Sequence, residues 1–190
     1  MAIPRLHITE TALLVVDVQE RLIGTIHEHE TMVRRAASLI RGCALLKVPV
    51  IVTEQYVKGL GHTVGEIADA LPPGTKPFEK MQFSSLTPGV LAELADRKVR
   101  SLLVCGIEAH VCVLQTVLDA AAAGIQPFHA TDAISAGQAD QIPPAMRRME
   151  RAGSVPTGAL SALYELMQTC EHPVFREMLG VAKSIVRTGN

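Results

Sequence analysis

Five or six short aliphatic runs alternate along the chain with stretches in which apolar residues recur every three or four positions. That alternation predicts strands joined by helices, an α/β fold with a parallel sheet covered on both faces. The first run, Ala12 to Val16, is aliphatic throughout, as a strand buried on both sides should be, and Asp17 closes it. A helix is predicted over 31–46, where Val33, Ala36, Ala37, Ile40, Ala44 and Leu45 repeat with Arg34, Arg35, Ser38 and Arg41 between them. Pro49 opens a second strand over 50–53, and a short third strand ends near Lys80. Further strands are predicted over 101–105, 126–130 and 154–156. Thr87 followed by Pro88 reads as an N-cap with Pro at the first helical position, starting a helix that runs to about Asp96. Residues 106–110 make a turn, a helix over 111–123 stops at Gly124, and two more helices cover 138–151 and 160–169. Residues 55–76 hold four Gly and the pair Pro72 and Pro73, so they read as a long excursion with one helical turn near 66–70. Excursions of that length tend to carry function.

Composition narrows the classes. At 190 residues the chain is expected to be one domain, 1–190, large enough to bury a core without disulfides or a structural metal. A net charge of -1 supplies no footprint for nucleic acid or an anionic membrane, and four Phe, two Tyr and no Trp leave few rings on which bases could stack. A small-molecule substrate is the better expectation. Cys43, Cys105, Cys112 and Cys170 form no CxxC motif and no paired zinc knuckles, which suits reduced thiols in a cytoplasmic protein. The N-terminal run is short and ends in a charge, so no signal peptide is expected. No stretch approaches the roughly 20 apolar residues of a membrane span.

In parallel sheets the ligand crevice lies at the carboxyl ends of the strands, so polar residues just after strands are the candidates. Asp17, Lys80 and Cys112 occupy such places. Cys112 falls near a helix start, where free N–H groups and the dipole favour a thiolate. On position alone it is equally a small core cysteine. A single Lys after a strand is most often a solvated surface residue, and Asp17 could cap a turn as readily as shuttle a proton. It is the convergence of acid, amine and thiol on one edge that favours chemistry.

The segments LLVVDVQ (13–19), TEQY (53–56), KMQFS (80–84) and CGIEAHVCV (105–113) resemble, in order and spacing, the motifs of the isochorismatase-like cysteine hydrolases. TEQYVKGLGHTVGEI, DAISAG and RRMERAGSVPT are most similar to the isochorismatase domain-containing proteins of that superfamily. The resemblance covers nearly the whole chain. It implies a three-layer, Rossmann-like αβα fold whose six-stranded parallel sheet runs 3-2-1-4-5-6, and a triad of Asp17, Lys80 and Cys112. It further implies a non-proline cis peptide between Ile107 and Glu108 and an oxyanion hole made by the backbone N–H groups of Glu108 and Cys112, each donor worth about 3 kcal/mol. Gln19, Leu22, Gln55, Tyr56 and Phe83, which flank these motifs, and His110 would line the pocket, although Leu22 and Phe83 also suit a core. His62 reads as an exposed loop histidine.

Family members that hydrolyse nicotinamide carry an Asp-x-His metal site after strand two. This chain has TEQY there, so neither metal nor cofactor is expected. True isochorismatases cleave a vinyl ether without a thiol, whereas Cys112 points to C–N cleavage through a thioester, on a small amide, ureido or carbamoyl compound. The rival reading is a non-catalytic scaffold or partner-binding protein that keeps the triad by descent. A homo-oligomer is expected from the resemblance and from a C-terminal tail, 171–186, whose Val174, Met178, Leu179 and Val181 need a surface to cover. Asp17→Asn is expected to cost about 10²–10⁴-fold in rate while barely changing stability.

Overall fold

A computed structural model describes residues 3–186. Six strands, β1 (Thr11–Val16), β2 (Val50–Gln55), β3 (Phe78–Lys80), β4 (Ser101–Gly106), β5 (Gln126–Ile134) and β6 (Val155–Thr157), form one all-parallel sheet in the order β3-β2-β1-β4-β5-β6. The helices are α1 (Glu20–Ile23), α2 (His29–Leu45), α3 (Val57–Leu60), α4 (Gly65–Ala68), α5 (Pro88–Asp96), α6 (Leu114–Ala122), α7 (Ile142–Arg151), α8 (Ala159–Met167) and α9 (Phe175–Val186). This is the expected three-layer, Rossmann-like α/β architecture.

Strand pleating divides the core in two. Leu13 and Val15 of β1, Leu103 of β4 and Phe128 of β5 pack with α2, α8 and α9 on one face. Leu14 and Val16, with Leu102 and Val104, pack with α5, α6 and α7 on the other. Both faces of the central strands are therefore apolar, which is why these strands read as unbroken aliphatic runs.

The structure departs from the sequence pattern in several places. Strand β5 continues past Ala130 to Ile134, with a register shift against β4 between Val104 and Gly106. The Asp132 carboxylate there accepts the Ala159 N–H at 2.7 Å, capping α8, so the polar Thr131 and Asp132 continue a strand that the aliphatic run alone would end. The helix after β4 begins as a π-helical turn over Ala109–Val113. The excursion after β2 holds two short helices, α3 and α4, in place of one turn. Lastly, the C-terminal tail is covered by its own chain: Met178 is completely buried and Val174 and Val181 pack against the α2–α8 core, leaving Leu179 exposed. Burying Met178 alone contributes about 1.5–3 kcal/mol, so these side chains do not require a partner subunit.

Gly106 ends β4 with φ +118°, and a Cβ there would sit 2.1 Å from the Val16 carbonyl oxygen. Strands β1 and β4 can come this close at the switch point only because the residue is glycine. The Ile107 N–H then donates to that same oxygen at 2.9 Å, which turns the chain toward the π-helical turn.

Candidate active site

Register brings the polar residues together. Val16 is level with Thr53 of β2 and with Gly106 of β4, and Gln55 is level with Lys80 of β3, so Asp17, Lys80 and the turn after β4 share the carboxyl edge of the sheet. Asp17 leaves β1 with φ +51°, its N–H donating to the Thr53 carbonyl. Its Oδ2 accepts a 2.6 Å bond from Lys80 Nζ and its Oδ1 a 2.8 Å bond from the Thr53 hydroxyl. Both members of the ion pair are buried, which removes the readings of Lys80 as a surface residue and of Asp17 as a simple cap.

Lys80 Nζ also faces Gln55 Oε1 at 2.9 Å, the Phe83 carbonyl at 2.9 Å and the Gln82 carbonyl at 3.2 Å. An ammonium has three protons, so every one of them has an acceptor. This saturation offsets a desolvation cost of several kcal/mol per ion.

Cys112 lies in the π-helical turn, 8% exposed. Its thiol is pushed up to about 12, chiefly by burial and then by the negative charge of Asp17; Lys80 pulls the other way, and a hydrogen bond to Asp17 and the charge of Glu108 push up again. This corrects the expectation of a thiolate made by the helix start. The Lys80 ammonium is already paired with Asp17, so burial and the Asp17 charge outweigh its pull on the sulfur. Nearby, the Ile107–Glu108 peptide is cis. Among the described residues the Glu108 N–H meets no backbone acceptor, while the N–H groups of Ala109, Val111 and Val113 donate to the carbonyls of Ser135, Glu108 and Glu108. The Glu108 carboxylate accepts from Gly137 N at 2.7 Å.

The expected pocket residues divide. Tyr56 and Phe83 are half-exposed and Met81 more so, and a cleft of about 380 Å³ beside Tyr56 and Met81 is lined by neither Asp17 nor Cys112. His110 is partly buried, its Nδ1 without a partner among the described residues. Gln19 and Gln55 do not present free amides to a ligand. Gln19 is completely buried, its Nε2 donating to the carbonyls of Gln55 and Gly61 and its Oε1 accepting the Gln55 N–H. The Gln55 amide is spent on Lys80 and the Met81 carbonyl. The two glutamines tie the loop after β2 to the ion pair. Leu22 packs against the core.

Sequence reasoning passed over Glu54. It is buried at the end of β2 and accepts from Thr63 N and Thr63 Oγ1, both at 2.7 Å, and from His62 Nδ1 at 3.2 Å. Burial alone would raise its carboxyl, but the bonds from Thr63 and His62 outweigh burial and hold it below the usual range. An acid following closely on the aliphatic run 50–52 was the available signal. Among the described residues no three His, Cys, Asp or Glu side chains gather into a metal-holding group.

Residues 11–159 match the family model of the isochorismatase domain. The chain belongs to the isochorismatase family. One family relative, the secreted isochorismatase effector Isc1 of Phytophthora sojae (strain P6497), is 35% identical over 184 residues, 95% of this chain and 88% of the relative. The structure of the MAR1 ribonuclease of Caenorhabditis elegans superposes with a TM-score of 0.91 at 35% identity, covering 98% of this chain and 95% of that one. The YcaC gene product of Escherichia coli, an octameric hydrolase of unknown specificity, shares the fold at a TM-score of 0.89 and 19% identity over 98% and 93% of the two chains. Membership in the isochorismatase family supports a hydrolytic function. No helix among the described residues is long and apolar enough to cross a membrane.

Proposed function

We propose that the chain is a cysteine hydrolase that cleaves the C–N bond of a small amide-type compound through a thioester on Cys112. The observation that carries this reading is a buried Asp17 carboxylate, held by Lys80 and Thr53, at the same sheet edge as the turn that carries Cys112. Asp17 takes the thiol proton as Sγ attacks the carbonyl carbon, so a thiolate forms only as it reacts. The N–H groups of Glu108 and Cys112 receive the developing oxyanion. When the C–N bond breaks, Asp17 returns its proton to the departing amine. Water then attacks the thioester, giving one proton to Asp17, and the product leaves as a carboxylic acid, which ionises in solvent, while the Asp17 proton passes back to sulfur. Lys80 neutralises Asp17 throughout, and Tyr56, Phe83 and His110 line the entrance.

The proton transfers belong to Asp17, so this reading requires neither metal nor cofactor. We extend it to a homo-oligomer, by likeness to the octameric YcaC fold, and to a reducing, cytoplasmic setting, which suits four free thiols including the exposed Cys170. Light scattering at micromolar concentration tests the first extension, a monomeric mass refuting it. The central test is ammonia release from a panel of small amides, with Cys112→Ala and a chelator arm, and with RNA included because one similar structure is a ribonuclease. Turnover of an amide that survives chelation and is lost in Cys112→Ala is the expected result. Zinc-dependent turnover, or RNA cleavage that Cys112→Ala preserves, would overturn the reading.

A further inference from the structure

Behind Asp17 and Cys112 runs a second line of buried groups, of which the proposed chemistry uses only the Thr53 bond to Asp17. Thr53, Ser85 and Thr116 are all completely buried and come from three separate segments: β2, the loop between β3 and α5, and α6. The single proton of the Thr53 hydroxyl goes to Asp17 Oδ1 at 2.8 Å, so in the 3.0 Å contact between Thr53 Oγ1 and Ser85 Oγ the serine is the donor. The Ser85 N–H donates to Thr116 Oγ1 at 2.8 Å, and the Thr116 hydroxyl donates to the Cys112 carbonyl at 2.6 Å. A threonine bonding back to the carbonyl four residues earlier is common in helices and alone means little. Here the same oxygen also accepts from Ser85, which joins the turn carrying the sulfur to the loop that reaches Asp17.

We infer that Thr53, Ser85 and Thr116 form a positioning relay that holds the Asp17 carboxylate in register with the Cys112 sulfur, an inference resting on the catalytic roles proposed above. The terminal torsion of a carboxylate is soft, and one bond from Lys80 to Oδ2 leaves it free to rock about that oxygen. The Thr53 bond to the other oxygen removes the freedom. Ser85 in turn fixes Thr53 and, through Thr116, the backbone of Cys112, so base and nucleophile share one frame. None of the three touches substrate or sulfur; they act through Asp17 and the Cys112 backbone.

The test needs no identified substrate, because iodoacetamide alkylation of Cys112, followed by peptide mass across pH, reads the same proton transfer. In Thr53→Val the alkylation rate near neutral pH should fall about tenfold, the order expected for a misplaced reacting group. The whole rate profile across pH should lie below that of the wild type, because the carboxylate has lost the donor that fixes its Oδ1. Thr53→Ser restores the hydroxyl and should restore the profile. Ser85→Ala should shift the profile in the same direction by a smaller amount, and it carries the test if Thr53→Val does not fold. Ser154→Ala, which removes a buried hydroxyl near the start of β6, should lower the melting temperature and leave the profile alone. A wild-type rate indifferent to Asp17→Asn overturns the catalytic reading itself. An Asp17-dependent rate that Thr53→Val and Ser85→Ala leave unchanged, or that Ser154→Ala shifts equally, overturns the relay alone.

Discussion

Two of the buried polar groups in and beside the sheet, the Asp17–Lys80 pair at its carboxyl edge and His129 within β5, differ in how their desolvation is met. The ion pair draws partners from β1, β2, β3 and the loop that follows it, and every proton of the ammonium has an acceptor. His129 is completely buried with one bond, Nδ1 to Ser154 Oγ at 2.8 Å, and its Nε2 meets no partner among the described residues. Burial lowers its pKa and keeps the ring neutral. A charge can be kept inside a sheet only when several elements converge on it, whereas a neutral ring tolerates one unmade bond. Convergence marks the place where protons can move.

The largest effect should follow from dividing the ion pair. Lys80→Met or Asp17→Asn leaves one charge buried without its partner and should cost about 3–5 kcal/mol in urea unfolding. The sequence-based expectation that Asp17→Asn barely alters stability is thus corrected by the Lys80 contact. The double variant should recover much of the loss, because no buried charge remains, while alkylation of Cys112 stays about 10²–10⁴-fold slow. Additive losses in the double variant would show that packing, not charge, sets the cost.

Gly106→Ala tests the geometric side of the same edge. Its φ of +118° alone should cost about 1–3 kcal/mol, and the 2.1 Å approach of the new Cβ to Val16 O adds a backbone clash. Chemical denaturation should show the loss. A neutral substitution would mean that β1 and β4 part easily, and the close register argued for Asp17 and Cys112 would fail.

The two groups were unequally legible. Asp17 and Cys112 follow the aliphatic runs 12–16 and 101–105, so topology puts them on one edge, whereas Lys80 ends a strand, Phe78–Lys80, that no aliphatic run marks. The roles of Thr53, Ser85 and Thr116 depend on Val16 lying level with Thr53 and on the path of the loop after β3, which periodicity does not carry. Gln19 and Gln55 stood in the right motifs, yet their amides are consumed by backbone and Lys80, and side-chain direction is not written in spacing. The π-helical turn at Cys112 was hidden because an apolar run that short fits either helix type. His129 drew no notice, since a histidine in a strand reads as half-exposed until the helices covering both faces are in place.

The smallest effect concerns that histidine and acid. Ser154 Oγ donates to the Pro127 carbonyl at 3.3 Å, so it accepts from His129 Nδ1, and the unprotonated Nε2 faces the core. Protonation would put a charge where no acceptor waits, which burial opposes; Glu150 favours the charge, but less. In the unfolded chain the ring titrates near the ordinary value of about 6.5. Between that value and the lower native one the unfolded state binds more protons, so stability is full above about pH 6.5 and declines as pH falls toward the native pKa. The slope from one group cannot exceed about 1.4 kcal/mol per pH unit. His129→Asn keeps a donor near the Nδ1 position and cannot titrate. Urea midpoints at pH 7, 6 and 5 should therefore fall more steeply for the wild type than for His129→Asn, whatever the variant loses at pH 7. Parallel slopes would mean that His129 takes a proton in the native state as easily as in the unfolded one, and the contrast with the saturated ion pair would not hold.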